Sequence, residues 1–340
     1  MPTVDRSRMM LFGRFPIDRE RALGVLLIVI SACAFGSGAL FAKPIYGTGV
    51  DWMTLLAWRF LFAAVLSWGW LMIWPTHRRA LRSLSRRRIA ILVLLGLFYL
   101  GNTGTYFAAL ETVSASLAAL IVYLYPALVA VMSIRFARRL EGRRAWGALA
   151  LATLGVALAV GGVDPQQAPP FLGLALTIAT PVIYAVWIIL AARLSGERAE
   201  APRNTAVPPY DSEVVAEPRG TEPAPAAAVM ITATAIGWWI AALATDRPVA
   251  PSQIPTEAWL PLLGVGVVST ALAIQTFYAG AKRIGAAQAS LVSTVEPVYT
   301  IVLASLLFAE QLTPVQLLGG ALVIIGVVIA QTGGGSRKPR

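Results

Sequence analysis

The 340-residue chain is 57% hydrophobic and only 13% charged, and its formal net charge is +11. Soluble domains carry about 25% charged residues, so this composition excludes an ordinary soluble domain and favours a protein embedded in a membrane. The single cysteine, Cys33, excludes an intramolecular disulfide and a thiolate metal cluster, and the single histidine, His77, argues against a histidine-based metal or catalytic centre.

Ten apolar segments follow one another along the chain. Each has about 18–24 residues, which is enough for a helix to cross roughly 30 Å of hydrocarbon. The sequence therefore predicts an all-α, polytopic membrane protein with ten transmembrane helices. The predicted spans are residues 22–42, 52–74, 89–110, 114–134, 145–163, 171–192, 225–245, 258–281, 285–308 and 314–331.

Positive charge alternates between the connections. All but three of the 28 Lys and Arg residues fall in every second connection, and the exceptions are Lys43, Arg59 and Arg247. Because Lys and Arg beside span ends are retained in the cytoplasm, the Arg-rich tail 1–21 predicts cytoplasmic N- and C-termini in a bacterial inner (plasma) membrane. Basic residues beside apolar runs fit anionic membrane lipid as a partner, and not nucleic acid.

The two halves of the sequence resemble each other. Tyr106–Ala109 (YFAA) matches Phe277–Gly280 (FYAG), and at the same spacing Tyr125-Pro126 falls on Glu296-Pro297. Spans one to five and spans six to ten are therefore interpreted as two versions of one unit.

The repeat predicts the domain organisation. Residues 22–163 form the first unit and 171–331 the second, between cytoplasmic tails 1–21 and 332–340. Because five is odd, the second unit enters the membrane from the opposite face, and such an inverted repeat is typical of alternating-access transporters. Inverted pseudosymmetry also occurs in channels, and a duplication kept only for packing would leave the same pattern.

Residues 193–224 interrupt the second unit. They are rich in Pro, Glu and Ala and almost lack large apolar residues. Such a segment cannot offset its ordering entropy by burial, so we predict a disordered cytoplasmic loop.

Two ionisable residues lie deep in predicted spans. An ionisable group there costs on the order of 3 kcal/mol on insertion, so it needs a partner or a function. Glu296 lies near the middle of span nine, where Pro297 opens the helix, and its carboxyl could bind a cation, an amine or a proton. Arg59, in span two, suits an anion site or a counter-ion. The alternatives are an ion pair of the two that only joins helices, and an Arg59 that extends to the interface.

Other polar residues recur at equivalent places in the two units. Tyr125-Pro126 in span four mirrors Glu296-Pro297, so both spans should be broken near the midplane, at Pro126 and Pro297. Tyr106 and Asn102 in span three and Gln275 in span eight complete the candidate substrate- or proton-binding set. Such residues also join helices in lipid without touching a substrate.

Short motifs in a consistent order carry a family resemblance. Trp58-Arg59-Phe60, Thr294–Tyr299 (TVEPVY) and Phe308–Pro314 (FAEQLTP) are similar to motifs of the drug/metabolite transporter superfamily, EamA type, with two EamA units. The first unit departs from that pattern, because Phe136–Arg139 (FARR) stands where an acidic exit residue would be expected.

The resemblance implies a secondary active transporter. We expect export of a small metabolite, an amino acid or an amphipathic amine or drug, by alternating access, with proton coupling as a candidate energy source. A passive uniporter or channel-like facilitator, and a membrane-embedded lipid-modifying enzyme, are the alternatives. We expect no catalytic activity, cofactor or metal; a second copy of the chain is a candidate partner. By analogy with the family, spans one to four would rock against six to nine.

Overall fold

A computed structural model describes residues 19–125, 168–194, 223–284 and 295–332, with isolated positions between 128 and 158 and at 292 and 293. These residues form helices and connections, and no strand occurs among them. The helices are α1 (Arg19–Gly47), α2 (Trp52–Ile73), α3 (Pro75–Arg82), α4 (Arg86–Ala109), α5 (Ala115–Val122), α6 (Phe171–Leu194), α7 (Pro223–Ala244), α8 (Thr256–Gly266), α9 (Ala273–Ile284), α10 (Val295–Phe308) and α11 (Pro314–Thr332).

Most of the predicted spans lie in these helices. Within the described residues, five helical segments are long and apolar enough to cross a membrane: Ala22–Gly47, Trp52–Ile73, Arg86–Ala109, Ala224–Ala244 and Thr256–Phe277. Shorter apolar helices occupy the predicted spans six, nine and ten. The all-α, membrane-spanning fold is thereby confirmed. The second part of span four, span five apart from isolated positions, most of the loop 193–224 and the tails lie outside the described residues.

The helix starts follow from capping residues. Asp51 accepts hydrogen bonds from the backbone N–H groups of Met53 and Thr54, at 2.9 and 3.2 Å, and so begins α2. Ser85 and Ser114 cap α4 and α5 in the same way. Each cap follows a connection, so the polar cap and the next apolar run together set where each helix begins.

The α4–α6 and α2–α7 pairs are antiparallel. Asn102 Nδ2 donates to the Thr180 carbonyl at 3.3 Å, and Trp187 Nε1 donates to the Leu95 carbonyl at 3.0 Å, so rising numbers in α6 face falling numbers in α4. The α2–α7 contacts follow the same order: Trp68 Nε1 bonds to Thr232 Oγ1, and Trp239 Nε1 to the Ala57 carbonyl.

The α1–α9 and α5–α10 pairs are antiparallel too. Ser31 Oγ donates to the Ala273 carbonyl at 2.7 Å, whereas the start of α1 packs on Gly280, where a Cβ would lie 2.8 Å from the Gly24 carbonyl. Glycine at that position permits the close approach of the two backbones. In α5 and α10, Ala115 bonds to Glu310 and Tyr123 to Glu296, so residue numbers again run in opposite order. Of these pairs, α2 with α7 (spans two and seven) and α5 with α10 (spans four and nine) belong to counterpart spans, which therefore run in opposite directions in the described residues, as the repeat predicts.

The directions of the helices define two faces of the molecule. One face carries α3 and the connections between α2 and α4, with six arginines from Arg78 to Arg88, and is called the basic face below. Trp70 and Trp74, whose rings lie 5.9 Å apart, are exposed beside it, as is common for tryptophan at a membrane interface. The opposite face carries the connections that follow α1, α4, α7 and α10.

Three helices are irregular near the middle of the bundle. α5 ends at Val122, and Tyr123 and Leu124 form a turn. α10 begins at Val295, and Glu296 N donates to the Ser293 carbonyl in the turn before it. A π-helical turn, Val267–Leu272, joins α8 to α9. Irregular backbone at this depth is tolerated where it is buried in protein or lines a cavity.

Candidate functional site

A cavity of about 130 Å³ lies where these irregular segments meet, and it is called the central cavity below. Its walls come from α1, α2, α4, α5, α6, the π turn and α10. Five residues of the candidate set line it, together with Pro297 at the start of α10. The five are Arg59, Asn102, Tyr106, Tyr125 and Glu296.

Arg59 is held inside the bundle by the π turn. Its side chain is buried, Nε donates to Thr270 Oγ1 at 2.8 Å, and Nη2 donates to the Ser269 carbonyl at 3.3 Å. The guanidinium carbon lies 4.6 Å from the centre of the Phe107 ring, a cation–π contact. Arg59 therefore points into the bundle and does not extend to the interface.

Arg59 has no ion-pair partner among the described residues. In the described part of the chain, no carboxylate lies within ion-pair distance of its guanidinium, and the ion pair of Arg59 with Glu296 does not form. Thr270 and Ser269 take two of the five N–H donors that a guanidinium offers. Arg59 is therefore a buried cation on the cavity wall, with hydrogen-bond donors beyond those that Thr270 and Ser269 take.

Glu296 lies in the first turn of α10. The positive end of a helix dipole stabilises a carboxylate there. Oε2 is 3.2 Å from Tyr123 Oη, across the cavity from the end of α5, and the Glu296 carbonyl accepts from Thr300 Oγ1 at 3.0 Å. Among the described residues, no Lys or Arg forms an ion pair with Glu296.

The Tyr123 hydroxyl has two partners, Glu296 Oε2 and the Ser293 carbonyl. A phenol carries one hydrogen, so it cannot donate to both oxygens at once. If Tyr123 donates to Ser293, Glu296 must carry a proton to complete the contact. If Glu296 is ionised, Tyr123 can turn its hydrogen to the carboxylate. The position of one proton thus decides whether the two half-helices are joined through Ser293.

A second cavity, of about 180 Å³, adjoins the first towards the basic face and is called the aromatic cavity below. The two share part of their walls. The shared residues are Phe35, Tyr99, Tyr125, Tyr184 and Glu296. Rings form a continuous series along this wall: Tyr125 and Tyr184 lie 4.7 Å apart, Tyr184 and Trp187 5.9 Å, and Tyr99 and Trp187 5.2 Å.

Two members of the candidate set fall outside this arrangement. Gln275, half-buried in α9, is not among the residues that line either cavity. Pro126 lies outside the described residues, although the turn at Tyr123–Leu124 ends directly before Tyr125. Asn102 lines the central cavity and also bonds to the Thr180 carbonyl of α6, so it both contributes to the cavity wall and joins two helices.

Sequence reasoning missed several lining residues, among them Tyr99, Tyr123 and Ser269. A signal for part of the wall was available. Phe35 and Tyr184 occupy equivalent positions in the two repeats, and both line the two cavities.

The opposite face is closed by two charged side chains. Lys43 Nζ donates to the carbonyls of Leu110 and Val113, at 2.9 and 2.7 Å, at the end of α4. The Glu310 carboxylate accepts from the backbone N–H groups of Ala115 and Ser116, at 3.0 and 2.9 Å, at the start of α5. Glu310 follows α10, so this contact joins the two predicted units at that face.

Comparison with known proteins places the chain in a family. The model of the EamA-like transporter family matches residues 22–161 and again residues 218–332. The chain belongs to the EamA-like transporter family. The second match begins after most of the loop 193–224, so span six lies outside both matches, and the predicted unit boundaries stay a prediction.

Relatives agree with this assignment. An "Uncharacterized transporter" of Archaeoglobus fulgidus is 26% identical over 90% of this chain and 96% of its own length. The "Uncharacterized transporter YcbK" of Bacillus subtilis is 25% identical over 88% of this chain and 90% of its own length. A crystal structure with 20% sequence identity has a TM-score of 0.59 and covers 91% of this chain and 97% of that one, which shows a shared fold. The protein is thus a membrane transporter.

Proposed function

We propose that this EamA-like transporter is a secondary active exporter of a small zwitterionic metabolite, such as an amino acid, and that it works by alternating access. The observation that carries the proposal is the pair of opposite charges on one cavity wall. Arg59 and Glu296 both line the central cavity, and neither forms an ion pair with the other or with any other described residue.

A zwitterion would satisfy both charges at once. A guanidinium matches a carboxylate in two parallel hydrogen bonds, so the substrate's carboxylate would bind Arg59. The Glu296 carboxylate would bind the substrate's ammonium group or, without substrate, a proton. Since a buried charge in a membrane protein is costly unless it is paired, a ligand of this charge pattern would be favoured in the cavity.

Protons would drive the cycle through Glu296. Binding of the substrate's ammonium group and binding of a proton use the same carboxyl group, so the two events compete. The Tyr123 hydroxyl would donate its hydrogen to Glu296 when that carboxylate is ionised, and otherwise to the Ser293 carbonyl in the turn before α10. Exchange of a proton for substrate at one site is the simplest form of antiport.

The contacts at the opposite face support alternating access. Lys43 and Glu310 hold the ends of α1 and α10 to α4 and α5, whereas the aromatic cavity extends the site towards the basic face. We place the basic face in the cytoplasm of a bacterial cell, with both termini, because of its arginines. Export would then require the Lys43 and Glu310 contacts to open.

Transport in proteoliposomes tests the proposal. Wild-type protein should accumulate a radiolabelled amino acid against its gradient when a pH gradient is imposed, and only equilibrate it without one. Glu296→Gln should lose concentrative uptake, and it should bind the amino acid more weakly because the substrate's ammonium group loses its carboxylate partner. Glu257→Gln, an exposed acid of α8, is the matched control. If neither the gradient nor Glu296→Gln changes uptake, the proton role is wrong and the protein is a passive uniporter.

A further inference from the structure

We propose that the aromatic cavity is a side-chain subsite, which makes the transporter select zwitterions with a large apolar side chain over small or polar ones. This inference rests on the proposed function for the charged groups of the substrate. It adds the chemical class of the remainder of the molecule and the residues that select it.

The first observation is the position of the subsite. Tyr99, Tyr125 and Tyr184 belong to the walls of both cavities, and so does Glu296. A ligand whose ammonium group lies at Glu296 therefore has the aromatic cavity directly beside it. The side chain on its α-carbon would extend past these shared residues into the aromatic cavity, towards the basic face.

The second observation is that two hydrogen-bonding groups of the lining, on Trp187 and Thr234, are already used within the protein. Trp187 Nε1 donates to the Leu95 carbonyl at 3.0 Å, so the indole offers the cavity only its apolar ring. Thr234 Oγ1 lies 2.8 Å from the Gly96 carbonyl and 2.9 Å from the Met230 carbonyl, and so bonds to backbone. A polar side chain of the substrate would lose water there and gain no partner from these groups.

Apolar and aromatic side chains make up most of the remaining wall. They come from α1, α2, α7 and α9. The members are Phe35, Phe60, Ala227, Met230, Ile231, Ile274 and Phe277. Ligand pockets that bind apolar groups have this composition, with a few polar groups that fix the orientation of the ligand. Here the charged groups of the central cavity would fix that orientation.

The third observation is size. A cavity of about 150 Å³ lined by apolar side chains admits benzene. The aromatic cavity, at about 180 Å³, therefore has room for a phenyl or branched aliphatic group. Tyr184 and Trp187 are nearly parallel, with 17° between their planes, and Tyr125 meets Tyr184 at 62°, so a planar group would find both face and edge contacts.

Binding to purified protein in detergent tests the subsite. The probes are glycine, alanine, leucine and phenylalanine, which share the charged groups and differ in the side chain. Isothermal calorimetry should give leucine and phenylalanine at least tenfold tighter binding than alanine, and alanine should bind no more weakly than glycine. Equal affinities across the four probes would overturn the inference.

A filling substitution makes the test specific to the cavity. Met230→Trp places an indole in the aromatic cavity from α7, whereas Ile236→Trp adds the same group on an exposed side of that helix. Met230→Trp should weaken phenylalanine binding at least tenfold and alanine binding less than twofold, and Ile236→Trp should behave as wild type. Equal weakening of both ligands by Met230→Trp would contradict a side-chain subsite.

Indole, which has no charged group, separates the two proposals. Saturable binding of indole to wild type that Met230→Trp removes supports the subsite even if no amino acid binds, and in that case the proposed zwitterionic substrate fails alone. If indole does not bind and the amino acids show no dependence on their side chains, the subsite is wrong. Detergent or lipid occupying the cavity would appear as indole binding that falls with detergent concentration but resists Met230→Trp, and this would overturn the inference.

Discussion

Tyr123 and Glu296 join two interrupted helices across the central cavity, with Tyr123 Oη 3.2 Å from Glu296 Oε2. Tyr123 directly follows α5, Glu296 lies in the first turn of α10, and the Ser293 carbonyl offers a second acceptor to the same hydroxyl. α5 belongs to predicted span four and α10 to predicted span nine, so the contact joins the two predicted units. A proton on Glu296 is therefore placed to influence how the two units meet.

We expect Tyr123→Phe to uncouple this contact. The substitution removes the hydroxyl and keeps the ring, so Glu296 and Ser293 lose their shared donor. Proton-driven uptake into proteoliposomes should fall about tenfold while ligand binding changes by no more than about fivefold, since a neutral hydrogen bond contributes about 1 kcal/mol. Tyr125→Phe is the comparison variant. It removes a tyrosine hydroxyl two residues further along the chain and also keeps its ring contacts. Uptake by Tyr123→Phe equal to that of wild type would contradict the role of the hydroxyl.

The sequence was sufficient for the fold because its signals are long. Each apolar run extends over some twenty residues, and charge beside each run orients it, so most of the described helices begin and end within a few residues of the predicted limits. Spans four and nine are the exceptions, because α5 ends at Val122 and α10 begins at Val295. The inversion followed from counting spans. The hydrogen bonds between α2 and α7, in the counterpart spans two and seven, then showed it, because their residue numbers run in opposite order.

The site could be predicted only in part, because a cavity depends on three-dimensional proximity. Glu296 and Arg59 stood out since an ionisable residue in a span is rare. Tyr99 and Tyr123 gave no such signal, because aromatic residues are ordinary components of apolar spans. The sequence also could not predict whether Arg59 pairs with Glu296 or bonds to the π turn, because its partner Ser269 lies 210 residues away in the chain.

Arg59 should recognise the carboxylate of the substrate. Wild-type protein should bind an amino acid at least tenfold more tightly than its methyl ester, which lacks the negative charge. Arg59→Leu should remove this preference, and Arg59→Lys should keep part of it because the charge remains but the two-pronged geometry is lost. Calorimetry with the two ligands measures the ratio directly. An unchanged preference in Arg59→Leu would show that the carboxylate binds elsewhere.

Glu310 should hold the opposite face closed. Its two carboxylate oxygens accept from Ala115 and Ser116, and a glutamine offers only one acceptor and sets an N–H₂ against the other N–H. In Glu310→Gln we therefore expect the central cavity to open more often towards that face. A cysteine placed at Val122, on the cavity wall, in a Cys33→Ala background reports the change through a membrane-impermeant thiol reagent.

Labelling in vesicles of known orientation gives the result. The reagent applied from the opposite face should react severalfold faster in Glu310→Gln than in the parent, and the rate from the basic face should fall. Glu257→Gln, an exposed acid of α8 on the same face, should leave both rates unchanged. If Glu310→Gln labels at the parent's rate from both faces, the contact is a helix cap and takes no part in gating.

The close packing of α4 on α7 should be sensitive to a single methyl group. A Cβ at Gly96 would lie 2.5 Å from the Met230 carbonyl and 2.9 Å from Ala233 Cβ, so Gly96→Ala must force the helices apart. Overpacking of this kind costs about 1–3 kcal/mol, and we expect a clearly lower midpoint of thermal unfolding in detergent. Gly69→Ala, in α2 with nothing within 4 Å of its Cβ position, is the control and should leave the midpoint unchanged. Because Met230 also lines the aromatic cavity, Gly96→Ala should in addition weaken indole binding, and a stable Gly96→Ala protein with unaltered indole binding would contradict the packing described here.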